Sequence, residues 1–245
     1  MIKAVIFDFG QTLVDSADGF RAAEKEAQRL MLADFKPAGR EEFMAVYRRI
    51  RRQFQERSNF SRLDIWEAVY LAFDLNPDRH KLEQWEGAYW ERVKALTRIF
   101  EEVPAVLEQL ARRYRVALIT NTQGQQHYGR HRMDQFPELD RFFEVVIVAG
   151  EGGVSAKPDP EPFRRCLGVL GLDGSEAVYV GDDWRIDVCG AEAVGMHPVW
   201  LRHHSVTRNW PAVETAAPII TSLEDLLELE KLLEPQPAAP KHRVS

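Results

Sequence analysis

The sequence predicts an α/β fold built on a doubly wound parallel sheet, with a small all-helical unit inserted into it. Three observations lead there. From residue 98 onward, short apolar runs that end in small or polar residues alternate with segments of helical spacing. At the other end of the chain, Val5-Ile6-Phe7 stops abruptly at Asp8, as a buried parallel strand does when its carboxyl end opens onto a crevice. Between the two, residues 15–97 show apolar positions at helical spacing and no strand-like run.

Taken in order, the first strand is followed by Val14-Asp15-Ser16 and a helix over about 18–34 carrying Phe20, Ala23, Ala27, Leu30 and Met31. Pro37-Ala38-Gly39 ends it. A second helix places Phe43, Val46, Tyr47, Ile50 and Phe54 on one stripe, and a third carries Leu63, Trp66, Val69, Tyr70 and Phe73. Asn76-Pro77-Asp78 is a turn, and a fourth helix carries Leu82, Trp85, Tyr89 and Leu96. Four helices with inward stripes make a bundle. The pattern then switches. Val103-Pro104 opens a helix through Leu107, Leu110 and Ala111, and a strand over 116–119 runs into Thr120-Asn121-Thr122-Gln123-Gly124. A strand over 144–148 ends in Gly150-Glu151-Gly152-Gly153. Lys157-Pro158-Asp159-Pro160 then leads into a helix through Phe163, Cys166 and Leu170. A strand over 177–180 ends in Gly181-Asp182-Asp183, a helix holding Ala191 and Ala193 stops at Gly195, and a strand spans 197–201. Ser222 with Glu224 and Asp225 caps a final helix. The expected division is an α/β core of residues 1–14 and 98–233, a helical cap of residues 15–97, and a disordered, proline-rich tail of residues 234–245.

Composition narrows the function classes. The chain of 245 residues is 45% hydrophobic and 29% charged, ordinary for a globular protein with a sizeable core. Its net charge of −6 argues against a nucleic-acid partner. Cys166 and Cys189 give neither a disulfide framework nor a zinc-ligand spacing. There is no apolar run of membrane-spanning length, and the first strand begins almost at once, leaving no room for a signal peptide; a cytoplasmic location is expected.

The polar strand ends carry the chemistry. Asp8, Thr120-Asn121, Lys157 and Asp182-Asp183 with Asp187 all fall at one edge of a parallel sheet. Carboxylates from two strands meeting there form a hard oxygen site suited to Mg²⁺. Lys157 offsets negative charge, and the Thr120 hydroxyl and Asn121 amide are donors for phosphate oxygens. Asp183 reads as a helix cap rather than a ligand, and Asp15 and Asp18 as helix-start residues. In the run Arg48-Arg49-Ile50-Arg51-Arg52, Arg48 and Arg52 fall opposite the apolar stripe, while Arg51 lies at its border and is the better candidate for a substrate contact. His127, His131, His203 and His204 show no metal-ligand pattern, and both cysteines read as packing residues.

In order and spacing these four motifs resemble those of the haloacid dehalogenase superfamily, and the helical insertion after the first motif resembles the caps of its phosphoglycolate phosphatase-like subfamily. The resemblance implies that Asp8 is the nucleophile and a metal ligand, and that Asp182 is a second ligand. It implies an outer role for Asp187, orienting metal waters or Lys157. Thr120 would bind the transferring phosphoryl group, and Lys157 would neutralise it together with Asp8. One departure stands out: phosphatases of the family carry a second aspartate where this chain has Gly10. The Gly10 backbone carbonyl would still serve the metal. The leading expectation is a Mg²⁺-dependent phosphatase of a small phosphorylated metabolite, monomeric or homodimeric, slowed or restricted to good leaving groups by the missing acid. A 2-haloacid dehalogenase, favoured by Gly10 and opposed by the retained Asp182, is one alternative. A catalytically weak binding or regulatory relative is the other.

Overall fold

Strand β1 (Ala4–Phe7) is apolar along its whole length because both of its faces are covered. In the computed structural model, which describes residues 1–35, 39–122, 132–206 and 209–234, it lies inside a six-stranded sheet. Strand β4 (Arg115–Asn121) pairs with it on one side and β6 (Ala177–Gly181) on the other, both parallel. Phe7 stands opposite Leu118 and Val180, so Asp8, Thr120 and Asp182 leave the sheet at the same edge. Strand β5 (Val145–Ala149) extends the β4 side, and β7 (His197–Leu201) with β8 (Ile219–Ile220) the β6 side. The order is therefore β5-β4-β1-β6-β7-β8, and the winding reverses at β1. The crevice outside such a reversal is where open α/β sheets bind ligands.

Both faces are closed, as a doubly wound sheet requires. Helix α5 (Val103–Ala111), the short α6 (Pro137–Asp140) and the C-terminal α9 (Leu229–Leu232) share one core cluster with Val5, Phe7, Leu118 and Val180. Helices α7 (Pro160–Leu170) and α8 (Cys189–Glu192) pack over Ile6, Ala117, Ile119 and Tyr179. The residues between Leu13 and Phe100 leave and rejoin this layer side by side. A two-residue antiparallel ribbon, β2 (Val14–Asp15) with β3 (Arg98–Ile99), ties the two crossings together.

Beyond the ribbon, α1 (Ala17–Asp34), α2 (Arg40–Glu56), α3 (Arg62–Leu71) and α4 (Arg79–Leu96) surround a core of their own. Met31, Phe43, Tyr47, Trp66, Val69 and Trp90 lie in it, each essentially inaccessible. Side chains start two of these helices: Ser61 Oγ accepts from Asp64 N and Asp78 Oδ1 from Lys81 N. Helices α1 and α4 come so close at Gly19 that a Cβ there would sit 2.8 Å from the Val93 carbonyl oxygen. No helix among the described residues is long and apolar enough to cross a membrane.

Several details depart from the sequence reading: the β2–β3 ribbon is an addition, and the final helix that Ser222 caps opens as a tight 3-10 turn over Leu223–Glu228 before α9. Strand β8 is an addition, two residues long and so below any periodicity. The segment after Asp183 is a wide turn, Trp184–Val188, before α8 begins, because Val188 N reaches back five residues to Asp183 O. Phe73 lies past the end of α3. Leu96 is 41% exposed, being the last residue of α4, from which the chain turns away into β3. Pro37 and Ala38 of the expected break, the pair Gln123-Gly124, His127, His131 and the tail from 235 lie outside the described residues.

Candidate active site

Lys157 is the centre of the sheet edge. Its ammonium is buried and reaches four oxygens: Asp8 Oδ1 at 2.8 Å, Asp187 Oδ1 at 2.7 Å, Tyr179 Oη at 2.7 Å and the Ile119 carbonyl at 3.0 Å. Burial works against the charge, but the Asp187 and Asp8 carboxylates outweigh it and hold the ammonium above its ordinary pKa. The Tyr179 hydroxyl donates a hydrogen bond to the Ile119 carbonyl at 2.9 Å and accepts one from Lys157. Burial and the nearby Asp187 keep its phenol protonated well beyond its usual range. The loop holding Lys157 is clamped by Asn121, whose Oδ1 accepts from Lys157 N at 2.8 Å and whose Nδ2 donates to Lys157 O at 3.1 Å.

Asp187 is held from both sides. Its Oδ1 meets Lys157, and its Oδ2 accepts from Asp183 N at 2.9 Å. Burial, opposed in part by Lys157 and reinforced by Asp8 and Asp183, pushes its carboxyl up to about 6. Room for it is made by Gly181, where a Cβ would stand 2.4 Å from the Asp187 carboxyl carbon. Asp183 caps the turn that follows, its Oδ1 accepting from Ile186 N at 3.0 Å, as its position suggested. Asp15 likewise accepts from Ala17 N at the start of α1.

Asp8, Asp182 and Asp187 each present an oxygen within 4.8 Å of the others. Such an all-oxygen, anionic donor set suits a small hard divalent cation. Asp187 is held firmly by Lys157 and the Asp183 amide, whereas among the described residues the second oxygen of Asp8 meets only Thr12 Oγ1, at 3.5 Å; Asp8 and Asp182 could hold such a cation. Gly10 lines the same cavity. The backbone bonds of its loop run from Gln11 N to Val14 O and from Leu13 N and Val14 N to Phe9 O, leaving Gly10 outside them. The left-handed residue of that loop is Gln11, at φ 63°. Gln11 turns its amide away from the cavity, taking Ser16 N at 3.0 Å and facing Asp15.

A haloacid dehalogenase-like hydrolase family model matches residues 2–195, four-fifths of the chain. The chain belongs to the haloacid dehalogenase-like hydrolases. This hydrolase is 31% identical to a plasmid-encoded phosphoglycolate phosphatase of Cupriavidus necator, over 97% of its own length and 95% of the relative's. It is 30% identical to a glyceraldehyde 3-phosphate phosphatase of Pyrococcus abyssi, over 83% and 82%. Among solved structures, it resembles a 2-haloacid dehalogenase from Pseudomonas syringae pv. tomato, at 26% identity and a TM-score of 0.62 over 95% and 98%.

Above the hydrolase's carboxylates is a cavity of about 300 Å³ whose far wall comes from the helical insertion: Phe20, Arg51, Gln55, Phe60 and Arg62. Arg51 is there, as its place at the stripe border suggested, while Arg48 and Arg52 are exposed. Arg185, in the turn after Asp183, reaches across to Gln55 O and Ser58 Oγ at the end of α2. The Asn121 amide is engaged by the Lys157 peptide, so this residue holds that loop as well as lining the cavity. Sequence reading missed Tyr179, Glu24 and Arg62. Each lies on an element with an apolar pattern and shows no spacing signal of its own. His203, buried against Glu102 at 2.7 Å, and exposed His204 both lie away from the cavity lining.

Proposed function

We propose that this hydrolase is a Mg²⁺-dependent phosphatase of small phosphorylated metabolites, working through a phosphoaspartate on Asp8. The observation that carries the reading is the floor of the cavity: Asp8 locked to Lys157 by one oxygen, with Asp182 beside it. Two curated relatives at similar identity act, by their names, on phosphoglycolate and on glyceraldehyde 3-phosphate; both are small phosphomonoesters. The residues of the helical insertion form a cap that swings on the β2–β3 ribbon and excludes water from the charged centre.

In this reading Lys157 fixes Asp8 Oδ1, which orients the carboxylate and leaves its other oxygen to attack phosphorus. The phosphorus–oxygen bond to the leaving group breaks as the aspartyl phosphate forms, and water later cleaves it to phosphate and restores Asp8. Thr120 hydrogen-bonds the transferring group and Asp187 keeps Lys157 in place. Asp8, Asp182 and the Gly10 carbonyl would hold Mg²⁺, which would offset the repulsion between carboxylates and phosphate. Asp8→Asn should lower phosphate release by at least about 10³-fold while leaving the unfolding midpoint near that of the parent. A chelator should abolish release, and halide should not appear from 2-chloropropionate. Gly10 and the 26% identical dehalogenase structure favour a second reading, in which Asp8 attacks carbon; halide release that persists in chelator would establish it.

A further inference from the structure

The cap wall of the cavity carries an ion cluster that the phosphoryl chemistry does not use. Glu24 is its buried carboxylate. Its Oε1 accepts from Tyr47 Oη at 2.7 Å and from Arg51 Nη1 at 3.2 Å, and its Oε2 from Tyr89 Oη at 3.3 Å. Arg62 Nε lies 4.0 Å from the same carboxylate. Two guanidinium groups therefore share one carboxylate, and both line the cavity opposite Asp8.

The two arginines are held differently. Arg62 is fixed: Nε donates to Tyr89 Oη, Nη1 to the Phe60 carbonyl, and the guanidinium packs against the rings of Phe20, Tyr89 and Trp90. Arg51 is held through one contact, to Glu24, and its Nε is buried with no acceptor. A guanidinium has five donors in a planar fork, and leaving a buried one unmet is unfavourable. The Arg51 side chain is 37% exposed, so an oxyanion entering the cavity can meet its accessible nitrogens and supplies the missing negative charge.

We propose that Arg51, backed by the fixed charge of Arg62, is the recognition site for a carboxylate on the leaving-group side of the substrate. On the phosphatase reading above, the preferred substrates are then small phosphomonoesters that also bear a carboxylate. The planar fork suits a carboxylate taken by two parallel bonds. The apolar surface of Phe20 and Phe60 lies alongside for the short carbon linker.

The test uses a matched pair, 2-phosphoglycolate and 2-hydroxyethyl phosphate, which differ in a carboxylate against a hydroxymethyl group. Calorimetric binding to the full chain carrying Asp8→Asn, with Mg²⁺ present, should show phosphoglycolate tighter by about tenfold or more. Adding Arg51→Ala should bring the ratio to within about twofold, Arg51→Lys should keep part of it, and Arg52→Ala, on the exposed face of the same helix, should keep all of it. Equal affinities in the Asp8→Asn protein, or a preference that survives Arg51→Ala, overturns the proposal. Phosphate release from p-nitrophenyl phosphate by the unmutated protein separates the two readings. Release without a carboxylate preference sinks the subsite and leaves the phosphatase. A carboxylate preference that Arg51→Ala removes, without any release, supports the subsite and sinks the phosphatase.

Discussion

Two ion clusters, one buried and one half-buried, face each other across one cavity, and they are made of the same parts in opposite proportion. The sheet edge gathers Asp8, Asp182 and Asp187 around Lys157, with Tyr179 as the bridging hydroxyl. The helical wall gathers Arg51 and Arg62 around Glu24, with Tyr47 and Tyr89 as the bridging hydroxyls. Buried charge is tolerated when it is paired and hydrogen-bonded, so an excess of one sign in a buried cluster marks where something of the other sign enters. The floor lacks positive charge, and the wall lacks negative charge. The proposed substrate, a phosphomonoester bearing a carboxylate and met by a divalent cation at its phosphate end, would complete both.

The sharpest way to break the comparison is to remove the minority charge on each side. Lys157→Met leaves two buried carboxylates and a phenol without their cation. It should cost about 3–5 kcal/mol in urea unfolding and eliminate measurable turnover. Gly10→Asp instead adds a carboxylate to the floor, where it can protonate the leaving oxygen. Because the left-handed residue of that loop is Gln11, the side chain should be accommodated. Alkyl phosphate hydrolysis should then rise by up to about 10²-fold relative to p-nitrophenyl phosphate, read as a ratio of kcat/KM values. Glu24→Gln is the counterpart of the lysine change on the wall. Arg51 is over a third exposed and the amide keeps an acceptor, so the loss should be smaller, about 2 kcal/mol. Phosphoglycolate affinity should rise at the same time.

The last test concerns pH. Folding raises the Asp187 pKa from 3.8 to about 6, so the native state holds more protons than the unfolded state between those values. The contribution of this group is present below pH 3.8 and is lost as pH rises through 6. Unfolding free energies of wild type and Asp187→Asn, taken from pH 4 to 7, should show that decline in the wild type less the variant. A flat difference would mean that Asp187 stays ionised throughout.

The strands and the floor were legible because each is announced locally. Residues 116–119 and 177–180 are apolar runs with a polar ending, and the structure places β4 and β6 there with Thr120, Asn121 and Asp182 at their tips. Arg51 was visible from its angle on α2. Arg62 was not, since its charge is hidden by rings that come from α1 and α4, far along the chain. Glu24 looks like any polar helix residue until Tyr47 and Tyr89 are brought to it. Tyr179 sits in an apolar strand pattern, and only the loop carrying Lys157, folded over β6, gives its hydroxyl a purpose. Local pattern shows which element a residue belongs to; long-range packing decides what a buried polar group meets.

The strand order has a further consequence, in how the chain is made. Strand β1 is fully apolar and central, yet its partners β4 and β6 begin at residues 115 and 177. At about 5–20 residues per second, a ribosome exposes β1 for on the order of 10–30 s before β6 follows. The helices of residues 17–96 contact one another locally and are complete long before then. During synthesis the apolar β1 therefore waits for its first partner, β4, until the helical insertion has been made, and for its second, β6, longer still. A chaperone that shields extended apolar segments would find its binding site at residues 4–7.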